Sequence, residues 1–149
     1  MKTLKHISLC LCITFFAMSC SKNSSSSSSS CANVCDYTLA SGETASSVPA
    51  NLHGTYNVTY TFADSDSPIP KDTKATIEIS ATEMIITVAG QECVAIKNPF
   101  RASGGVQDIF RDSCVANLSY HISTKQDGSF NEINVFDLGN EWYGQFTKD

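Results

Sequence analysis

Gly54-Thr55-Tyr56-Asn57-Val58-Thr59-Tyr60-Thr61-Phe62 alternates without a break. Tyr56, Val58, Tyr60 and Phe62 are set to one side, and Thr55, Asn57, Thr59 and Thr61 to the other. A period of two over this length predicts a β-strand with one buried face, because a helix would repeat its apolar positions every third or fourth residue. Thr73 to Ser80 repeats the pattern with Ala75, Ile77 and Ile79, and Met84 to Ala89 follows after Ala81-Thr82-Glu83. Gly90-Gln91 then turns the chain into Glu92 to Lys97, a tight hairpin signal. Residues 98–105, with Pro99, Gly104 and Gly105, read as a loop. Val106 to Val115 reads as a short strand or an irregular crossing. Leu118, Tyr120 and Ile122 mark a strand that Asp127-Gly128 reverses into Phe130 to Phe136, and Trp142 to Phe146 closes the series. The expectation is an all-β antiparallel meander of seven or eight short strands, forming a small up-and-down barrel or a sandwich over residues 52–149.

The start of the chain reads differently. Lys2 and Lys5 precede the apolar run Ile7 to Met18, which ends at Ser19-Cys20. About 12 apolar residues fall short of the ~20 that a membrane-spanning helix needs, so this is the order of an export signal. Ending Ala17-Met18-Ser19-Cys20, it resembles a bacterial lipoprotein signal, and with the serines that follow it is similar to lipoproteins of the Bacteroidetes. The resemblance implies that residues 1–19 are removed and that Cys20 becomes a lipidated N-terminus bearing fatty acyl groups such as palmitate. It implies membrane attachment through that anchor. Ser21, rather than Asp, after the anchor points to the outer membrane, with the periplasmic or surface face left open. Residues 20–30 are then the lipidated cysteine and a serine-rich linker, with a root-mean-square reach of about 17–19 Å. Residues 31–51, small and polar, are either a bridged lead-in lying across the domain or more linker.

A second, shorter resemblance opens the first strand. Leu52-His53-Gly54-Thr55-Tyr56 looks like the Gly-x-Trp opening of lipocalins, with Tyr56 in place of the Trp. This implies a barrel that takes a small apolar ligand, although a head of this length leaves little room for a deep calyx.

Charge narrows the partners. The 10 basic residues, less Lys2 and Lys5, leave 8 against 15 acidic ones, a formal −7 after signal removal. Nucleic acid is excluded on that balance, because binding it depends on Lys and Arg neutralising phosphates. With Cys10 and Cys12 discarded and Cys20 lipidated, Cys31, Cys35, Cys93 and Cys114 remain. An even number in an oxidising compartment predicts two disulfides, and the favoured pairing is Cys93–Cys114 with Cys31–Cys35. Zinc is the rival reading of Cys31-x₃-Cys35, weakened because Cys93 and Cys114 are isolated singles.

Catalytic signals are sparse. His53 and His121 are the histidines beyond the signal, and no Gly-x-Ser-x-Gly elbow accompanies them. Asp64, Asp66 and Asp72 share a loop that offers oxygens to calcium or is simply solvated, and Asp108 and Asp112 bracket Arg111. Tyr56, Tyr60, Phe62, Tyr120, Phe130, Phe136, Trp142 and Phe146 either fill the core or line an apolar cavity, with Tyr56, Tyr60, Phe62, Tyr120 and Trp142 the candidate ligand contacts. Trp142 and Tyr143 should face opposite ways, placing Tyr143 outward. The sequence thus predicts a non-enzymatic, lipid-anchored envelope protein without a cofactor or metal, binding a small apolar ligand or an envelope protein. The alternatives are an inhibitor or assembly subunit and, behind them, an envelope hydrolase.

Overall fold

The structure is a computed structural model that describes residues 31–139 and 141–149. The signal, Cys20 and the serine-rich linker lie outside the described residues. Among the described residues, eleven strands form one sheet. They are β1 (Asn33–Asp36), β2 (Glu43–Ala45), β3 (Gly54–Ala63), β4 (Lys74–Ile79), β5 (Glu83–Val88), β6 (Val94–Lys97), β7 (Phe100–Ala102), β8 (Ile109–Asp112), β9 (Leu118–Thr124), β10 (Phe130–Asp137) and β11 (Tyr143–Lys148). The chain is all-β, as the alternating pattern predicts. Among the described residues no helix is long and apolar enough to cross a membrane.

The strand order is β1-β6-β5-β4-β3-β11-β10-β9-β8-β7-β2. β6 and β7 stand near opposite ends of that order, yet only Asn98 and Pro99 separate them in the chain. The sheet must therefore curl, which brings β6 alongside β8. β6 and β7 act as one bent strand, whose first half pairs with β5 and whose second half pairs with β8. Asn98, at a φ of 61°, and Pro99 make the bend. Residues 98–105 are thus not wholly a loop: Phe100 is fully buried and draws residues 100–102 into the sheet.

The inner face carries the core: Val58, Tyr60, Ile77, Met84, Ile96, Phe110, Ile133, Val135 and Phe146 are essentially inaccessible. Phe62 departs from the alternation. Against β11, Phe146 faces Tyr60 and Gln145 faces Phe62, so Thr61 is an extra residue in β3. Such a bulge reverses every side chain beyond it. Ala63 turns inward instead, and Phe62 sits outside, 46% exposed.

The two ends of the barrel differ. At one, Val48 and Leu52, the last residue of the 3-10 turn Ala50–Leu52, are buried in the core and act as a plug, and Asn51 Nδ2 donates to the Gly128 carbonyl of the β9–β10 turn at 2.7 Å. His53 Nε2, 2.9 Å from the Val48 carbonyl, holds the same plug. The other end is bounded by the β3–β4, β5–β6 and β8–β9 connections and stays open.

The lead-in joins the sheet rather than continuing as linker. β1 runs parallel to β6, and β2 pairs with β7. Two disulfides hold it, Cys31–Cys93 and Cys35–Cys114, with Cα–Cα distances of 5.1 and 5.6 Å. The expected pairing of Cys93 with Cys114 and Cys31 with Cys35 is corrected. The physical reason is β1 itself: its pairing with β6 sets Cys31 beside Cys93, while Cys35 faces the turn after β8. Each bridge closes a long loop, 62 and 79 residues in separation, and chain entropy assigns each about 4 kcal/mol.

Above β7 and β8 the lead-in builds a second small core. Tyr37 packs on Phe100 at 5.0 Å, and the Arg111 guanidinium lies 4.9 and 4.8 Å from those two rings. Arg111 donates to the Tyr37 hydroxyl at 2.6 Å and to Glu43 Oε1 at 3.1 Å, while that hydroxyl donates to Glu43 Oε2 at 2.7 Å. Burial alone would raise the Glu43 carboxyl, but the Ala40 N–H, Tyr37 and Arg111 together bring it below its ordinary range.

Candidate functional site: the open mouth of the barrel

A cavity of about 420 Å³ opens at the unplugged end. β5 supplies Ile86 and Val88, β6 supplies Val94, and β9 supplies Leu118 and Tyr120. The connection through Pro68, Ile69 and Pro70 forms one side, and Val115 with Ala116 forms the other. The mouth exists where the core side chains Ile86, Leu118 and Tyr120, with Val88 and Val94 packed beside them, face the cavity rather than a plug. The volume falls within the range of small-molecule sites, about 300–1,000 Å³.

Tyr120 is one of the polar groups of this cavity, beside Thr73, Gln91, Glu92 and Asp112. It is 6% exposed, and its hydroxyl makes no hydrogen bond to any described residue. Burial first, then the nearby Asp112 carboxylate and Tyr60, push its pKa far up, so the hydroxyl stays protonated and is a donor. The hydroxyl opens onto the cavity, where it can donate to an acceptor brought by a ligand.

Asp112 also lines the cavity, but its oxygens are taken. Oδ1 accepts from the Cys114 and Val115 N–H groups at 3.1 and 2.8 Å, and Oδ2 from Ala116 at 2.9 Å. Asp112 therefore shapes the β8–β9 turn. It lies close to Cys35 and Cys114, but both sulfurs are in a disulfide and cannot serve as thiolate ligands. That closes the zinc reading of these cysteines.

The sequence candidates do not converge. Of Tyr56, Tyr60, Phe62, Tyr120 and Trp142, only Tyr120 lines the mouth. Tyr56 stacks on Phe130 at 4.1 Å near the plugged end and donates to the Leu52 carbonyl at 2.9 Å. Tyr60 is inaccessible, with its hydroxyl 2.9 Å from Ser67 Oγ, and Trp142 belongs to the core. Phe62 is outside. There it begins a row across the sheet, from Phe62 to Tyr143, Phe136 and His121, with ring centroids 5.4, 5.1 and 4.8 Å apart. Tyr143 is outward, as its alternation with Trp142 predicts.

Sequence reasoning missed the partner of His121. Ser119 and His121 share one face of β9, two residues apart, and Ser119 Oγ lies 2.9 Å from His121 Nε2. Burial first, then the charge of Arg111, lowers the imidazole pKa to about 4, so it is neutral at pH 7. Among the described residues no carboxylate hydrogen-bonds to this ring. Asp137, in the same shallow groove, accepts instead from the Gly139, Glu141 and Trp142 N–H groups. The serine–histidine pair thus lacks the third group that orients the base in a triad.

The acidic candidates separate as well. Asp64 accepts from the Tyr143 N–H, Asp108 pairs with Arg101 at 2.9 Å, and Arg111 pairs with Glu43 rather than with either flanking aspartate. Among the described residues, Asp64, Asp66 and Asp72 form no cluster with metal-ligand geometry.

Comparison with protein families, characterised proteins and solved structures finds no match for this chain.

Proposed function

We propose that this chain is a lipid-anchored protein of the cell envelope, held at the outer membrane through Cys20, whose barrel head binds a small apolar ligand and performs no chemistry on it. The observation that carries the reading is the mouth cavity, with its apolar wall and the free hydroxyl of Tyr120. A wall of Ile86, Val88, Val94 and Leu118 favours hydrocarbon, and the Tyr120 hydroxyl offers a donor to an acceptor atom of the ligand. The lipobox and the serine run support the address. The seal formed by Val48 and Leu52 supports a single entrance.

The test is a fluorescence titration of the purified protein with N-phenylnaphthylamine, a neutral apolar probe, beside an Ala116→Trp variant. Ala116 is exposed at the rim, so the indole blocks the mouth without entering the core. Saturable binding that the variant abolishes supports the reading, and equal signals from both proteins oppose it. Metabolic labelling with palmitate, lost on Cys20→Ser, tests the anchor.

A second reading, an inhibitor or assembly subunit, draws on the outer row of Phe62, Tyr143, Phe136 and His121. In that case substitutions on the row, rather than Ala116→Trp, abolish partner binding.

A further inference from the structure

We propose that the ligand of the mouth is a lipid of the bilayer that holds the anchor, with one hydrocarbon chain in the cavity and a zwitterionic or uncharged head at its rim. This rests on the ligand-binding reading and the Cys20 anchor above, and adds the source and charge of the ligand.

The first support is where the tether leaves the head. Cys31 is bonded to Cys93, and both neighbours of Cys93, Glu92 and Val94, line the cavity. The chain toward the anchor thus departs from the lip of the mouth, not from the plugged end. Cys20 stands eleven residues before Cys31, a separation that the backbone spans to at most about 36–40 Å. The mouth is therefore confined near the bilayer, the densest source of hydrocarbon chains in its reach.

The second support is charge. Among the described residues, the cavity lining holds the carboxylates of Glu92 and Asp112 and no Lys, Arg or His. The Asp112 oxygens are occupied by backbone N–H groups, whereas Glu92 is exposed at the lip. An anionic head, whether a free carboxylate or phosphatidylglycerol, would meet like charge, with no cation in the cavity lining to offset it. The ammonium of phosphatidylethanolamine instead finds Glu92. Tyr120, a donor, then faces an ester oxygen of the lipid, which is an acceptor.

The experiment uses the lipidated protein in phosphatidylcholine vesicles doped with photoactivatable phosphatidylethanolamine or phosphatidylglycerol, each carrying a diazirine at the end of one acyl chain. Crosslinked peptides are mapped by mass spectrometry. The expected result is labelling of the segments bearing Ile86, Val88, Val94, Leu118 and Tyr120, about tenfold stronger from the ethanolamine lipid and lost in Ala116→Trp. Equal labelling by the two lipids overturns the charge argument. No labelling in the cavity, while N-phenylnaphthylamine still binds there, overturns the lipid source and leaves a cavity for another ligand. Failure of both probes overturns the underlying reading.

Discussion

Gly144 lies directly beneath the tip of Tyr60: a Cβ on Gly144 would stand 1.4 Å from the tyrosine hydroxyl and 2.2 Å from the ring carbon that bears it. No rotation of a methyl relieves that overlap. The missing side chain lets the Tyr60 ring lie over the neighbouring strand β11 and its hydroxyl reach Ser67 in the β3–β4 connection, which forms part of the mouth.

Gly144→Ala should therefore destabilise the fold by about 1–3 kcal/mol, the usual cost of overpacking a core. Urea denaturation checks it. A variant as stable as the parent would mean that Tyr60 does not occupy this position.

Peptide mapping without reduction should recover Cys31 joined to Cys93 and Cys35 joined to Cys114. Replacing Cys35 and Cys114 together by Ala should cost about 4 kcal/mol, since the bridge closes a long loop. Recovery of a Cys93–Cys114 peptide would contradict the placement of β1 beside β6.

Glu43 ties the lead-in to β8 through Arg111 and Tyr37, and its folded pKa is depressed. A carboxyl with a depressed pKa contributes stability that is complete above its unfolded pKa and disappears as pH falls through the folded one. Glu43→Gln should cost about 1–3 kcal/mol at neutral pH, as for hydrogen bonds to a charged group. The difference from the parent should shrink in acid, which denaturation curves at neutral and low pH will show.

His121 should titrate near pH 4 in the folded protein, as followed by the NMR shifts of its ring protons. Its folded pKa lies below the unfolded value of about 6.5, so the unfolded chain takes up the proton first. Stability from this residue is complete above about pH 6.5 and is lost as pH falls toward 4. Arg111→Ala should raise the folded pKa, because the guanidinium charge opposes protonation.

How much of this was legible in the sequence depended on whether the deciding contact was local. Alternation from Tyr56 to Tyr60 and from Ala75 to Ile79 placed two strands and their inward faces correctly, because a period of two is a property of neighbouring residues. The outward turn of Phe62 was not legible. It depends on one extra residue opposite β11, and β11 lies more than eighty positions away in the chain. The same holds for β1, where nothing local says that a polar stretch will pair in parallel with β6. The cysteine count foretold two bridges, but their partners followed from that long-range pairing. In the site, Tyr120 was among the named aromatics. What singled it out from Tyr60 was the absence of a nearby hydroxyl partner, which only the assembled barrel reveals.

The central claim is that the open end of the barrel is the binding site, and a ¹H–¹³C methyl and aromatic NMR titration tests it most directly. With a neutral monoacylglycerol added to the oxidised protein, the account predicts saturable shifts in Ile86, Val88, Val94, Leu118 and Tyr120, and none in Phe62, Phe136 or Tyr143. Shifts confined to that outer aromatic row, or no saturable shift at all, would contradict it.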